Sequence, residues 1–494
     1  MSDIDYLQWY RRYASIVDDW DAFERSLTLP LSTCIRTNPI KTTPDQLALF
    51  LHSDGVKLKS ISGISGGFQI QNGLENPGRH WAFWAGLYSV METVSMLPVS
   101  LLDPQPHERV LDLCAAPGSK TIQIGWAMKN TGTLIANDRD QGRIQALRQG
   151  LLRMGLMNVS TTVYDGVNYP KDAGYFDRIL VDVPCSCEGT LRKNREVAYR
   201  LDNGKVRALA RIQTLLLEKA FQLCRVGGRI VYSTCTFAPE ENEMVVASVL
   251  KKYGPEQLTL VPAQISEFQT SPGLQEWEGK AFDPSLRHTI RIWPHHNDTG
   301  GFFIAVLEKK EEQGSPITKN RKLTATQSVK RPDQISRKTD HITDWLKLIS
   351  ARFAIHESEW DNYQFFSTKK ERIAITAKDH TVPICPEVNK TGLPFMRANS
   401  LYPKLSTPIA QLMGLRLQHH YVTLSREQIE LYMRRELITL HPEQMVHVSE
   451  TGYVIVRYNE IVLGVGFIKK PGNDPPQLME SLFPKAWFYS TFTD

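Results

Sequence analysis

Apolar side chains change their spacing along the chain, and each change marks a different kind of structure. Residues 3–24, beginning in MSDIDYLQWYRRYASIVDDW, keep the three-to-four-residue spacing of an amphipathic helix. LPLSTCIRTNPIK then reads as a strand with an exposed basic edge, TPDQLALFLHSDG as a helix and SGISGGFQIQNG as part of a glycine-rich hairpin. Residues 1–75 are therefore expected to form a small α+β module. From 76 to 310 the pattern becomes strand, glycine turn, helix, repeated several times. That is the signature of a mostly parallel sheet with helices on both faces. Residues 311–340 lose apolar periodicity and are rich in basic side chains, as in a linker. Beyond it, DHITDWLKLISARFAI reads as a helix, and YVTLSREQIELYMRRELITL alternates short strands with a helix. TGYVIVRYNEIVLGVGFIKKPGN reads as two β-runs around a Tyr-Asn-Glu turn, so 341–494 forms a C-terminal extension.

Composition narrows this picture. The 494 residues exceed one ordinary core, and no apolar run approaches the roughly 20 residues of a membrane span. The charged N-terminus has no signal-peptide core, and seven cysteines without framework spacing suit a reducing cytoplasm. A net charge of +5 permits a nucleic-acid partner without requiring one.

RVLDLCAAPGSKTIQIGWAM carries the first candidate chemistry. A buried strand runs into a tight loop, Cys114, Ala115, Ala116, Pro117, Gly118, and a helix opens at Ser119 and Lys120. Amides at such a helix start attract a carboxylate. The loop matches neither a dinucleotide nor a P-loop fingerprint, so it suits a ligand without a pyrophosphate. Three further strand-like runs, TLIAND, STTVYDG and FDRILVDVPC, end in or just before Asp138, Asp165 and Asp182. Open α/β sheets bind ligands at those ends, where a carboxylate commonly takes ribose hydroxyls. Any one of these aspartates alone could be a turn cap. Together they point to an adenosyl ligand, with S-adenosylmethionine the best candidate.

Two cysteines stand at comparable places, Cys185 in DVPCSCEG and Cys235 in YSTCTFAPEENE, and adjacent parallel strands could bring them to one pocket. Taken singly, a buried cysteine is a small apolar core residue. A zinc site from Cys185, Cys187 and Cys235 lacks the second close pair of a structural site, and a disulfide does not suit the cytosol; no metal site is expected. A catalytic reading stands beside these. Addition of a thiolate to C6 of cytosine makes C5 nucleophilic, and a second group must then assist proton removal or release. Lys120, Arg192 or Lys193 could supply the positive charge a thiolate needs, and Asp182 could meet the N3 edge of the ring. The EENE run after Cys235 reads as a helix N-terminus with favourable dipole placement.

LDLCAAPGSKT, DVPCSCEGTLRKN and YSTCTFAPEENE, in this order, resemble the signature of the NSUN (Nop/Sun, RsmB/Nop) family of RNA cytosine-5 methyltransferases. The resemblance covers about half of the chain. It implies a class I S-adenosylmethionine-dependent fold with a mostly parallel seven-stranded sheet. It also implies Cys235 as nucleophile and Cys185 as the group releasing product, with Asp182 and Lys120 beside them. Cofactor contacts are implied for Cys114 to Lys120, Asp138, Asp165 and Asp182, and for Arg143 in the next helix. Two positions depart from the pattern: Cys187 replaces a glycine or other small residue, and Met91 replaces a common glutamine. The overall plan is similar to that of RsmF-type bacterial members, with an RNA-binding module before the core and a PUA-like RNA-binding fold closing the chain. Composition and resemblance together imply a cytoplasmic, monomeric enzyme with no membrane partner, acting on small-subunit rRNA or, as the alternative, tRNA. A non-catalytic RNA-binding assembly factor is the rival from another class. The target base must leave its stack, and Trp81, Trp84 or Arg36 could hold the flanking strand, although the two tryptophans suit a core better.

Overall fold

The computed structural model of the protein describes residues 7–310, 339–368, 372–397, 402–469 and 477–492. The expected linker falls outside the described residues except for 339 and 340.

The single helix expected over 3–24 is instead a 3-10 turn, Gln8–Tyr13, followed by a helix, Trp20–Thr28. Tertiary contacts cause the break. Tyr10 and Tyr13 are fully buried against Phe237, and Asp19 restarts the chain as an N-cap accepting from Ala22 N at 2.9 Å. Four strands follow: β1 (Cys34–Thr37), β2 (Lys57–Ser60), β3 (Gly67–Asn72) and β4 (Tyr88–Val90). They pair in the order β2-β3-β1-β4, so β1 is an inner strand and not the exposed basic edge its sequence suggests. The Arg36 guanidinium is spent inward, donating to Gln123 Oε1 of the catalytic part.

The next five strands make the heart of the molecule: β5 (Arg109–Asp112), β6 (Thr133–Asp138), β7 (Val159–Val163), β8 (Phe176–Asp182) and β9 (Cys224–Thr234). All four pairings among them are parallel, in the order β7-β6-β5-β8-β9. The order reverses at β5, so loops after β5 and β8 face a crevice at the strands' C-terminal ends. Phe302–Lys309 adds antiparallel to β9 and Ile290–Ile292 lies beyond it, which completes the class I methyltransferase sheet. Apolar runs such as Thr133–Asp138 are buried along their whole length because helices cover both faces.

The sheet reaches ten strands, three more than expected. Ser271–Pro272 and Leu258–Val261 add at one end. At the other, Val388–Thr391 from the C-terminal part pairs antiparallel with β7 and closes an edge that would otherwise be open. His380, buried beside it, shares a 2.8 Å hydrogen bond with Ser160 Oγ, and burial pushes its imidazole down to about 4. Asp379 accepts from Gly132 N at 2.8 Å.

The C-terminal region is β-rich. A three-stranded sheet, Tyr363–Thr368, Arg372–Ala377 and Leu393–Arg397, has no counterpart in the sequence pattern. A five-stranded sheet contains the expected hairpin Gly452–Tyr458 and Ile461–Ile468. Its apolar face shares one core with the N-terminal module: Trp84 stacks on Trp487 at 5.4 Å, and Trp81 meets Tyr458 edge-on. Both tryptophans are therefore core residues and are not free to stack on a base.

Candidate active site

The backbone brings the two strand-end thiols together. Past the end of β8, Val183 N donates to Ser233 O at 3.1 Å, and Gly189 N donates to Cys235 O at 2.9 Å. Ser186 Oγ and Thr236 Oγ1 also meet, at 2.7 Å. The segments 183–189 and 233–236 thus run zipped side by side. Gly189 has to be glycine, since a Cβ there would sit 2.3 Å from Gly301 O. The result is a Cys185 Sγ to Cys235 Sγ distance of 3.3 Å. Cys187 joins them: its Sγ lies 3.3 Å from Cys185 O, and the three sulfurs all lie within 4.8 Å of one another.

Three thiols so close cannot all ionise. Hydrogen bonding with Cys187, then with Cys235, followed by burial, raises the Cys185 thiol. Cys185 lowers Cys235 by hydrogen bonding, but Cys187 and burial outweigh it and leave Cys235 raised as well. Hydrogen bonding from Cys185, then from Cys235, lowers the Cys187 thiol to about 3. The cluster's negative charge therefore rests on Cys187 while Cys185 and Cys235 keep their protons, and the Cys235 nucleophile has to be generated when substrate arrives.

Lys120 and Asp182 stand beside the sulfurs. Lys120 Nζ meets Asp182 Oδ2 at 2.6 Å, and Ser233 Oγ donates to Asp182 Oδ1 at 2.7 Å. Burial would depress the Lys120 ammonium, but Asp182 overrides this and holds it above its ordinary value. Arg192, by contrast, is consumed in structure: it donates to Leu29 O, Pro30 O, Thr299 O and Asp298. Lys193 is exposed.

The loop Cys114–Gly118 lies at the end of β5, with Ala115 N bonded to Asn137 O at 2.7 Å. Gly118, at φ 112°, turns the chain into the helix Ser119–Ala127, and a Cβ there would press on the Leu147 side chain at 2.9 Å. Asp138 ends β6 with its carboxylate between Ala116 N (3.3 Å) and the Arg143 guanidinium (3.3 Å). Arg143 also donates to Ala116 O, so Asp138 and Arg143 brace the loop from both sides. Asp165 stands apart. It is exposed and caps a short turn through Val167 N (3.2 Å) and Asn168 Nδ2 (2.7 Å). Asp112, at the end of β5, is fully buried and accepts from Thr121 Oγ1 at 2.7 Å. Burial raises its carboxyl to about 7, with Asp182 and Asp138 adding to the shift. Carboxylates at the strand ends, Asp138 and Asp182, suit a ligand carrying a cation better than a pyrophosphate. That fits the sulfonium of S-adenosylmethionine.

Several residues of the site leave little trace in the sequence pattern. Glu188, fully buried one residue after Cys187, accepts from Trp9 Nε1 and Tyr13 Oη, each at 2.7 Å, and from Phe237 N at 3.1 Å. It ties the N-terminal turn to the thiol loops. The EENE run opens a helix at Glu243, as expected, but its acids do more than favour a dipole. Glu241 accepts from Ser186 N (3.0 Å) and Gln213 Nε2 (2.7 Å), which fixes the Cys185 loop. Asn242 joins Thr234 Oγ1 to Thr236 O on either side of Cys235, and Glu243 forms a buried pair with Arg291 at 2.5 Å. The sequence signal was a run of four polar residues, 240–243, opening five positions after Cys235.

Comparison with known proteins places this geometry. Residues 99–308 match the family described as 16S rRNA methyltransferase RsmB/F. A tRNA (cytosine(49)-C(5))-methyltransferase of Pyrococcus abyssi is 38% identical over 299 residues, 60% of this chain and 94% of that protein. A ribosomal RNA small subunit methyltransferase F of Shewanella amazonensis is 34% identical over 293 residues, 58% of this chain and 60% of its own length. Among solved structures, a methyltransferase homologue from Pyrococcus horikoshii superposes with a TM-score of 0.53 at 30% identity, covering 59% of this chain and 90% of that one.

Proposed function

This chain belongs to the RsmB/F (NSUN) family of S-adenosylmethionine-dependent RNA cytosine-C5 methyltransferases, and we propose that it methylates C5 of a cytidine in small-subunit rRNA. One observation carries the assignment of roles: two thiols from separate loops meet at 3.3 Å beside the Lys120–Asp182 pair. In this reading Cys235 adds to C6 of the flipped cytidine, and its proton leaves through the sulfur cluster. Asp182, fixed by Lys120 and Ser233, faces the N3 edge and stabilises the ring once C6 is saturated. Cys185 assists loss of the C5 proton and departure of Cys235. S-adenosylmethionine, when bound, supplies an electrophilic methyl group. The Cys114–Lys120 loop, Asp138 and Arg143 would hold it, with Asp165 and Asp182 as the further cofactor contacts of this reading.

For the rest of the molecule we propose an RNA-binding module at 1–75, a catalytic domain at 76–310, a linker at 311–340 and an RNA-gripping C-terminal extension at 341–494 that ends in a PUA-like fold. The protein would act as a monomer in the cytoplasm, on naked rRNA or on the small subunit. Among the described residues no helix is long and apolar enough to cross a membrane. A tRNA substrate is the second reading, favoured by the near-complete coverage of the archaeal tRNA enzyme. Supplying labelled S-adenosylmethionine with small-subunit rRNA, assembled subunits or bulk tRNA separates these readings. Label in rRNA, mapped by bisulfite to a cytidine, is expected. Label in tRNA alone moves the substrate, and no transfer to any RNA removes the catalytic reading in favour of a binding factor.

A further inference from the structure

Cys187 does not need to be a cysteine for the backbone's sake. It sits at φ 63°, in the left-handed region that glycine enters freely and a side chain enters at some cost. The turn around it is firmly held, with Cys187 O accepting from Thr190 N at 2.9 Å and Thr190 Oγ1 at 2.8 Å. This turn aims the Cys187 sulfur at Cys185 and Cys235, and all three thiols are free and only half-buried. We propose that Cys185, Cys187 and Cys235 together form a binding site for a thiophilic d¹⁰ cation such as Zn²⁺ or Cd²⁺.

The geometry suits such an ion. Zn–S bonds of about 2.3 Å in a tetrahedron separate their sulfurs by roughly 3.8 Å. Here one pair lies at 3.3 Å and every pair lies within 4.8 Å, so small side-chain rotations reach that spacing. Three sulfurs fill three corners and leave the fourth for a water or another ligand. No oxygen donor belongs to the set, so Mg²⁺ and Ca²⁺ have nothing to bind. Any coordinating thiol that still carries its proton releases it to solvent and nothing is oxidised, so affinity rises with pH. The ion occupies Cys235 Sγ, the atom that must attack C6. Resting on the reading of Cys235 as nucleophile, the cation is a reversible inhibitor, and Cys187 is what makes the site three-coordinate.

The test uses the full chain, reduced and stripped of metal, titrated with Cd²⁺ while the ultraviolet sulfur-to-cadmium charge-transfer band is followed. One equivalent is expected to saturate the band. Cys187→Gly, which relieves the left-handed backbone, is expected to weaken binding by about tenfold or more, a loss that follows even removal of an outer-shell partner. The variant should keep its melting temperature, whereas Zn²⁺ should inhibit methyl transfer by the wild type at lower concentration than methyl transfer by the variant, reversibly by chelator. The imidazoles His295 and His296 beside Asp18 give no sulfur band, so His296→Ala should leave the titration unchanged. A wild type without the band, or a Cys187→Gly chain that binds Cd²⁺ as tightly, overturns the site. A chain that shows the band but methylates no RNA leaves the site standing and removes the catalytic reading.

Discussion

Cys185 and Cys235 stand fifty residues apart in sequence, and their sulfurs lie 3.3 Å apart in the fold. Neither thiol can change its bonding without the other sensing it, which suits a reaction in which one sulfur joins the base and must later leave.

Replacing the two cysteines should therefore give opposite results. Cys235→Ala is expected to lose methyl transfer and form no covalent RNA complex. Cys185→Ala should accumulate a protein–RNA adduct that survives denaturing gel electrophoresis and disappears in the double variant. Full activity in Cys235→Ala would reverse the roles of the two thiols.

Asp182 is expected to act on the chemical step. Asp182→Asn weakens the bond to Lys120 and removes a charge from the ring edge, so single-turnover methyl transfer should fall by about a hundredfold. RNA affinity, measured by filter binding, should change little.

Glu188 acts through structure. Glu188→Ala strips acceptors from Trp9, Tyr13 and the Phe237 amide together, which should cost about 3 kcal/mol. A urea melt followed by tryptophan fluorescence reads this loss, and Glu188→Gln, which keeps an acceptor oxygen, should recover part of it.

Asp112 and Glu241 set a pH dependence. Burial raises both carboxyls to about 7. From about pH 4 to 7 the unfolded chain has already released these protons while the native state keeps them. Stability therefore falls as pH rises across that window, by at most about 1.4 kcal/mol per pH unit for each group. Asp112→Asn should flatten the slope by about one proton's worth when denaturant midpoints are compared at pH 5 and pH 7.

Co-expressed segments 1–310 and 339–494 should copurify. Val388–Thr391 completes the β7 edge, and Trp84 and Trp487 share one core, so each segment alone exposes apolar surface and an open strand edge.

Local pattern alone determined a great deal here. The five parallel strands, the loop after β5 and the thiols past β8 and β9 were legible because a buried parallel strand is a continuous apolar run and its C-terminal end is where polar chemistry must begin. The helix at 3–24 misled for the same local reason. Its spacing is amphipathic, but Tyr10 and Tyr13 have their partners in Phe237 and Glu188, roughly 175 residues or more away. Only the tertiary structure decided that β1 is an inner strand, that the C-terminal part completes the catalytic sheet, and that Glu188 and Glu241 anchor the thiol loops. It also aimed Cys187 at the other two sulfurs, through a left-handed turn that spacing cannot reveal. The reason is physical: periodicity records which face of an element is buried, whereas a buried polar group takes whichever partner the fold carries to it, and sequence separation holds no trace of that choice.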